Sequence, residues 1–208
     1  LHHFTNPLWL ARLGGWEDER CVGRFARYAD VMVRALASDV RYWVTINEPT
    51  VYAVYGYVFG IWPPEVKSLR RALKVSGRLA AGHARVYGQI HRIYKELGLE
   101  APSVGVAQFT QAFVPCTSKI RDRLAAWVRD RALNFHFIDQ AARQKALDFI
   151  GINYYARQLV ETRGWRPYRF LTDTCRGSHH SVSKNALGWD IYPEGLAPLL
   201  ARFKKYGL

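Results

Sequence analysis

Glu48 lies in Arg41-Tyr-Trp-Val-Thr-Ile-Asn-Glu-Pro-Thr50, where an aromatic and β-branched run stops at two polar residues and Pro49 then withholds a backbone donor. A carboxylic acid at the carboxyl end of a buried strand is where parallel α/β architectures hold groups for acid and base chemistry. An isolated Asn-Glu-Pro would more simply be a solvated loop, so the other strand ends have to decide. Two more present polar residues: His3 with Thr5 and Asn6, and Asn153 with Tyr154 and Tyr155. In a barrel of parallel strands such ends share one mouth, and residues distant in sequence converge there.

Each of these residues must be held by an element that the sequence announces. Tyr42 to Ile46 reads as a buried strand, and Leu1 to Thr5 as the tail of another, followed by the turn signal Asn6-Pro7. Between them, Trp16 to Ala37 sets Val22, Phe25, Ala29, Val33 and Leu36 at helical spacing, with Glu17, Asp18 and Glu19 in the first turn where the helix dipole favours them. Residues 49 to 75 carry Tyr52, Tyr55, Tyr57, Phe59 and Trp62 and close on Pro63-Pro64. They predict a long loop whose rings either receive a flat ligand such as a sugar or pack the loop down.

Ser76 to Leu97 predicts a helix that Gly98 stops. His83 falls on its apolar stripe of Leu79, Val86, Ile90, Ile93 and Leu97, as a satisfied core histidine would. Ser103 to Val114 returns to strand character and ends at Pro115, which completes a right-handed βαβ unit with a parallel sheet. A helix over 121 to 144 follows, with Leu124, Val128, Ala132, Phe135 and Ile138 inward. A strand over 146 to 155, a loop over 157 to 187 and a helix over 194 to 206, begun by Pro193, close the alternation.

The 208 residues, 49% hydrophobic and 23% charged, suffice for one substantial core. The 30 Lys and Arg against 17 Asp and Glu leave a charge of +13. The basic residues are scattered along amphipathic helices, as Arg20, Arg24, Arg27 and Arg34 are, so solvated faces account for them better than a nucleic-acid partner does. Cys21, Cys116 and Cys175 are odd in number and widely spaced, which predicts neither a disulfide framework nor a zinc site; no metal or other cofactor is expected. No apolar run approaches the ~18 residues of a membrane span, and no membrane partner is expected. The opening Leu1-His2-His3-Phe4 has no Met and no leader pattern, and reads as begun inside an element; a cytoplasmic setting is the expectation.

Four blocks then acquire a joint meaning: Leu1-His-His-Phe-Thr-Asn-Pro7, Thr45-Ile-Asn-Glu-Pro49, Asp148-Phe-Ile-Gly-Ile-Asn-Tyr-Tyr155 and Gly188-Trp-Asp-Ile-Tyr-Pro-Glu-Gly195. In order and spacing they resemble consecutive signatures of the family 1 glycoside hydrolases, the β-glucosidase and β-galactosidase group. The resemblance implies an α/β fold, part of a (β/α)8 TIM barrel covering about strands three to six, with 1–208 a single, incomplete domain. It also implies a β-linked glycoside as substrate and roles for particular residues. Glu48 matches the general acid/base, Asn47 the residue that hydrogen-bonds the 2-hydroxyl of the cleaved sugar, and His3 a second contact to that sugar. Tyr155 matches the tyrosine that holds the nucleophilic carboxylate, with Asn153 beside it, and Trp189 a residue lining the aglycone side.

Glycoside cleavage needs a proton delivered to a poor leaving group and a second carboxylate on the opposite face of the sugar, the two being ~5 to 5.5 Å apart in a retaining enzyme. The family carries that second carboxylate in a Thr-Glu-Asn-Gly block, which 1–208 does not contain. The reading is therefore a central fragment, nearly inactive alone and expected to associate with the remaining barrel segments. The alternative is a non-catalytic carbohydrate-binding or interaction protein of the same fold that keeps sugar subsites without the hydrolytic pair.

Overall fold

The structure is a computed structural model that describes residues 1–175 and 182–208. These fall into two compact units, one of residues 1–108, 137–151 and 208, the other of residues 109–136 and 152–207. A sheet in the order β1 (Tyr42–Asn47), β2 (Ser103–Pro115), β3 (Phe149–Val160) supplies strands to them, β1 lying wholly in the first.

In the first unit β1 and β2 pair in parallel, with Tyr42 opposite Ser103 and Val44 opposite Gly105. The opening segment runs along the other edge of β1: His2 bridges Ile46 in parallel, its N–H donating to the Thr45 carbonyl (2.9 Å) and its carbonyl accepting from Asn47 N–H (2.9 Å). The strand tail expected at Leu1–Thr5 is thus present. Helix α1 (Leu8–Arg12) follows, and α2 (Arg20–Leu36) packs on the long α4 (Leu69–Glu96). Gly82 of α4 makes room for the fully buried Trp16 ring, from the 3-10 turn Gly15–Glu17 before α2, since a Cβ there would stand 3.0 Å from it. On α2 the buried face is Cys21, Phe25, Ala26, Ala29 and Val33, so Leu36, expected inward, is exposed where the helix runs past its partner. On α4, Leu79, Val86, Ile90 and Ile93 are fully buried as their spacing predicts, while Leu97 lies past the last helical turn, half exposed.

The long loop expected over 49–75 is largely helical. Pro49 starts α3 (Pro49–Val54), where its missing N–H costs nothing, and a π-helical turn (Tyr55–Phe59) continues it. Ser68 caps α4, its hydroxyl accepting from Arg71 N–H (3.4 Å), so that helix begins seven residues before Ser76. Tyr52 and Tyr57 are buried, which makes these two rings packing residues.

In the second unit the helix expected over 121–144 is α5 (Ile120–Arg129), a π-helical turn (Asp130–Phe135) and, in the first unit again, most of α6 (His136–Arg143). Its wider turn advances the helix register, so a stripe counted backwards from Phe135 and Ile138 misses the face of α5. Asp122, Ala125, Ala126 and Arg129 face inward, and Leu124 is exposed. The region expected as a loop over 157–187, of which 176–181 lie outside the described residues, begins as strand, because β3 continues to Val160; residues 161–175 then form a strap that includes α7 (Pro167–Thr172). Cys116 and Cys175 are joined as a disulfide, their Cα atoms 5.8 Å apart, against the expectation of none. The two cysteines lie 59 residues apart but are brought together by β2 and β3: Cys116 N–H donates to the Val160 carbonyl (2.8 Å) and Cys175 N–H to that of Leu159 (3.3 Å). Helix α8 (Leu196–Phe203) follows a short turn at Pro193–Gly195. Among the described residues no helix is long and apolar enough to cross a membrane.

Candidate active site

Opposite β2, β1 carries a bulge. Val44 pairs with Gly105 and Asn47 with Ala107, so three steps on β1 match two on β2. An extra residue re-aims the strand after it, and here it precedes Asn47 and Glu48. Glu48 N–H donates to the Ala107 carbonyl (2.7 Å), and its φ of 47° and ψ of 55° put it in the left-handed region. That conformation turns the chain from the strand into α3 within one residue, and Glu48 is only 5% exposed there. Just beyond it the Thr50 hydroxyl accepts from the buried Gln108 amide (3.1 Å), tying the first turn of α3 back to β2.

Asn47 Nδ2 lies 3.1 Å from His3 Nε2. With the amide as donor, the ring nitrogen accepts. His3 is exposed and Asn47 half-buried, so these two residues and Glu48 form a polar group at the strand's carboxyl end. Behind it the Asn6 amide donates to Tyr52 Oη (2.8 Å), which holds the turn after the opening segment to α3. Burial pushes the Tyr52 phenol above its usual range and the His2 imidazole down to about 4, so the layer under this polar group is neutral at physiological pH.

His83 anchors β1 from α4. Its Nε2 lies 2.5 Å from the Ala146 carbonyl, which can only accept, so Nε2 carries the proton and Nδ1 accepts from the Thr45 hydroxyl (2.7 Å). Burial holds its pKa down at about 4. It is the satisfied core histidine that its place on the apolar stripe predicts.

The remaining candidates belong to the second unit. Asn153 and Tyr155 are two apart on β3 and share a face. The Asn153 carbonyl accepts from the Thr110 hydroxyl (3.1 Å), and the Tyr155 ring stacks on Phe109 at 5.3 Å. Trp189 meets Tyr155 edge to face at 5.7 Å, and each is 42% exposed. A tight turn presents Trp189: Asn185 Oδ1 accepts from the N–H groups of Leu187 (2.9 Å) and Trp189 (3.0 Å), and Gly188 takes a φ of 76° that a side chain would disfavour. The turn is fixed to β3 by the Arg157–Asp190 ion pair (2.7 Å), and Tyr154, on the other face, donates to the Tyr192 carbonyl (2.5 Å). Cys116, Glu161 and Cys175 lie within 4.8 Å of one another, but with the sulfurs joined this group offers a cation no thiolate.

The positions of Asn47 and Glu48 at the end of β1 follow from the apolar run that precedes them, whereas Asn153 and Tyr155, expected at a strand end, lie within β3, which runs on to Val160. The bulge, the Gln108–Thr50 tie and the Phe109 platform were missed. Only Gln108 and Phe109, consecutive residues in a strand otherwise rich in Val and Ala, gave a signal, as a polar residue and a ring on opposite faces.

Comparison with known proteins completes the assignment. The chain is 27% identical to β-glucosidase A of Acetivibrio thermocellus over 96% of its length and 49% of that protein's. It is 30% identical to the chloroplastic galactolipid galactosyltransferase of Arabidopsis thaliana over 98% of its length and 31% of that protein's. Among solved structures, the β-glycosidase from Pyrococcus horikoshii superposes on all of the chain with a TM-score of 0.87 at 32% identity, with 49% of that chain covered. The family 1 β-glucosidase from Thermotoga maritima, at 23% identity, shares the fold with a TM-score of 0.82. The chain spans about half the length of these glucosidases, and its parallel α/β architecture is part of a (β/α)8 barrel, not a closed one. With the glycosyl hydrolase family 1 model matching residues 1–143, over a stretch that holds the His3, Asn47 and Glu48 group, the chain belongs to that family.

Proposed function

We propose that residues 1–208 form the acid/base portion of a retaining β-glycosidase that hydrolyses β-glucosides or β-galactosides, and that they do so as one incomplete barrel domain. The observation that carries this reading is Glu48 itself, a nearly buried carboxyl on a left-handed backbone turn directly after a strand, with Asn47 and His3 hydrogen-bonded beside it. Family membership supports the substrate class.

In the proposed reaction the Glu48 carboxyl protonates the glycosidic oxygen as the bond to the anomeric carbon breaks, while a second carboxylate attacks that carbon from the opposite face. Glu48, now ionised, takes a proton from water, which displaces the enzyme's carboxylate and leaves the sugar with its original configuration. Asn47 and His3 hold sugar hydroxyls. Tyr155 orients the second carboxylate with Asn153 beside it, and Trp189 lines the leaving-group side. The second carboxylate belongs to the Thr-Glu-Asn-Gly block that 1–208 lacks, so this chain alone is expected to be nearly inactive.

The test is Glu48→Gln in a polypeptide that also carries that block. Hydrolysis of an alkyl β-glucoside should fall by about 10²- to 10⁴-fold, and that of a dinitrophenyl β-glucoside, whose leaving group needs little protonation, by much less. Equal losses on both substrates would remove Glu48 from the proton-donor role. Brisk turnover by residues 1–208 alone would overturn the account of the second carboxylate.

A further inference from the structure

The strap between β3 and the disulfide is built more firmly than a connection requires. Asp122, fully buried on α5, accepts from Thr162 N–H (3.0 Å) at its start and from the Thr117 hydroxyl (2.5 Å). Seven residues on, the buried Arg129 donates through Nε to the Phe170 carbonyl (2.7 Å), through Nη2 to the Asp173 carbonyl, and through Nη1 to Gln158 (3.0 Å). A guanidinium against the last carbonyls of α7 satisfies groups that a helix end leaves open. Thr174 bridges Val160, and Cys175 is covalently tied to Cys116. The segment is fixed at its start, at the end of its helix and at its close.

What this frame holds outward is not the apolar or neutral surface of an ordinary turn. Residues 165–169 are all exposed, Trp165 at 65% and Tyr168 at 44%. Arg163, Arg166 and Arg169 recur every third residue along the strap, and all three are exposed. The Arg169 stem passes over Gly164, whose added Cβ would stand 3.4 Å from Arg169 Cδ. Its ion pair with Asp173 is long, at 3.9 Å. Two amphipathic ring faces are therefore interleaved with guanidinium groups on a rigid support.

We propose that this strap, residues 162–172, is a docking surface for an acidic polysaccharide. Pyranose rings rest their apolar C–H faces on indole and phenol rings, and planar guanidinium groups match uronic carboxylates bidentately. The positive charge of the three arginines sets the sign of the partner, the exposed rings suit the C–H faces of sugars, and membership of a glycosyl hydrolase family favours a carbohydrate chain over other polyanions. Such a surface would hold the protein on a polymer.

The experiment is affinity electrophoresis and calorimetry of the chain with polygalacturonate, with neutral β-glucan, with a single-stranded oligonucleotide and with phosphatidylglycerol vesicles as the other arms. Polygalacturonate should bind, and neutral glucan should bind at least tenfold more weakly. Trp165→Ala should weaken polygalacturonate binding roughly threefold to tenfold, and Arg163→Gln/Arg166→Gln/Arg169→Gln together about tenfold or more. Trp165→Phe should restore most of the loss, which separates ring stacking from damage to the fold. Absence of polygalacturonate binding overturns the proposal. So does equal or tighter binding of the oligonucleotide or the vesicles, or a Trp165→Ala variant that binds as the wild type does.

Discussion

Protonation of His83 should unfasten β1 from α4, and the cost can be worked from the geometry. The imidazole is fully buried, its pKa is held at about 4 against 6.5 in an unfolded chain, and it is bonded to Ala146 and Thr45 in its neutral form. The folded state thus binds fewer protons than the unfolded one over this range, so stability is complete above pH 6.5 and falls as the pH drops towards 4. The loss attributable to His83 is about 2 kcal/mol at pH 5 and approaches ~3.4 kcal/mol below pH 4. Urea unfolding of wild type and His83→Gln between pH 7.5 and 4.5 isolates it from His2, which shares the same direction of shift and is retained in both proteins. The variant should be less stable at pH 7.5, and the gap should narrow by about 2 kcal/mol at pH 5. Imidazole ¹⁵N shifts should show Nε2 protonated and Nδ1 not, down to pH 5. Parallel stability curves, or the opposite tautomer, would refute the argument.

The disulfide should appear in non-reducing peptide maps as a Cys116–Cys175 link, and with its ends 59 residues apart in sequence Cys116→Ser should lower stability by about 4 kcal/mol, read by chemical denaturation under oxidising conditions. Gly105→Ala should destabilise by about 3 kcal/mol or more, because the new methyl would fall on the Phe149 carbonyl with the Phe149 ring 3.1 Å away; a calorimetric midpoint equal to wild type would contradict that close approach.

The strands, the helix pair α2 and α4 and the polar residues after β1 were legible because burial leaves simple marks: a continuous aromatic and β-branched run on β1, spacings of three and four on α4. Val86, Ile90 and Ile93 show this, each fully buried where spacing put it. Helical periodicity failed where the period itself changes. The π-helical turn at Asp130–Phe135 shifts the face of α5, so Arg129 and Asp122, which look like solvated charges in sequence, are interior supports of the strap. The segment 49–75 was misread for another reason: its Tyr, Gly and Pro content suits a loop, but burial of Val51, Tyr52 and Tyr57 overrides weak local preference. The disulfide was invisible because it depends on two strands bringing distant residues together, which spacing along the chain does not encode. For the candidate site, residue types reached Glu48, Asn47 and His3, whereas the bulge that aims them is a property of the β1–β2 register.

The left-handed turn at residue 48 has a thermodynamic side. An L-residue at a φ of 47° pays roughly 1 to 2 kcal/mol that glycine would not. On stability alone, glycine is the better occupant of this position. The fold therefore carries at Glu48 a local deficit that contacts elsewhere must offset, among them the Trp16–Gly82 packing and the His83 clamp. The residue with most to do in the proposed chemistry is also one that the folded state would gain by losing.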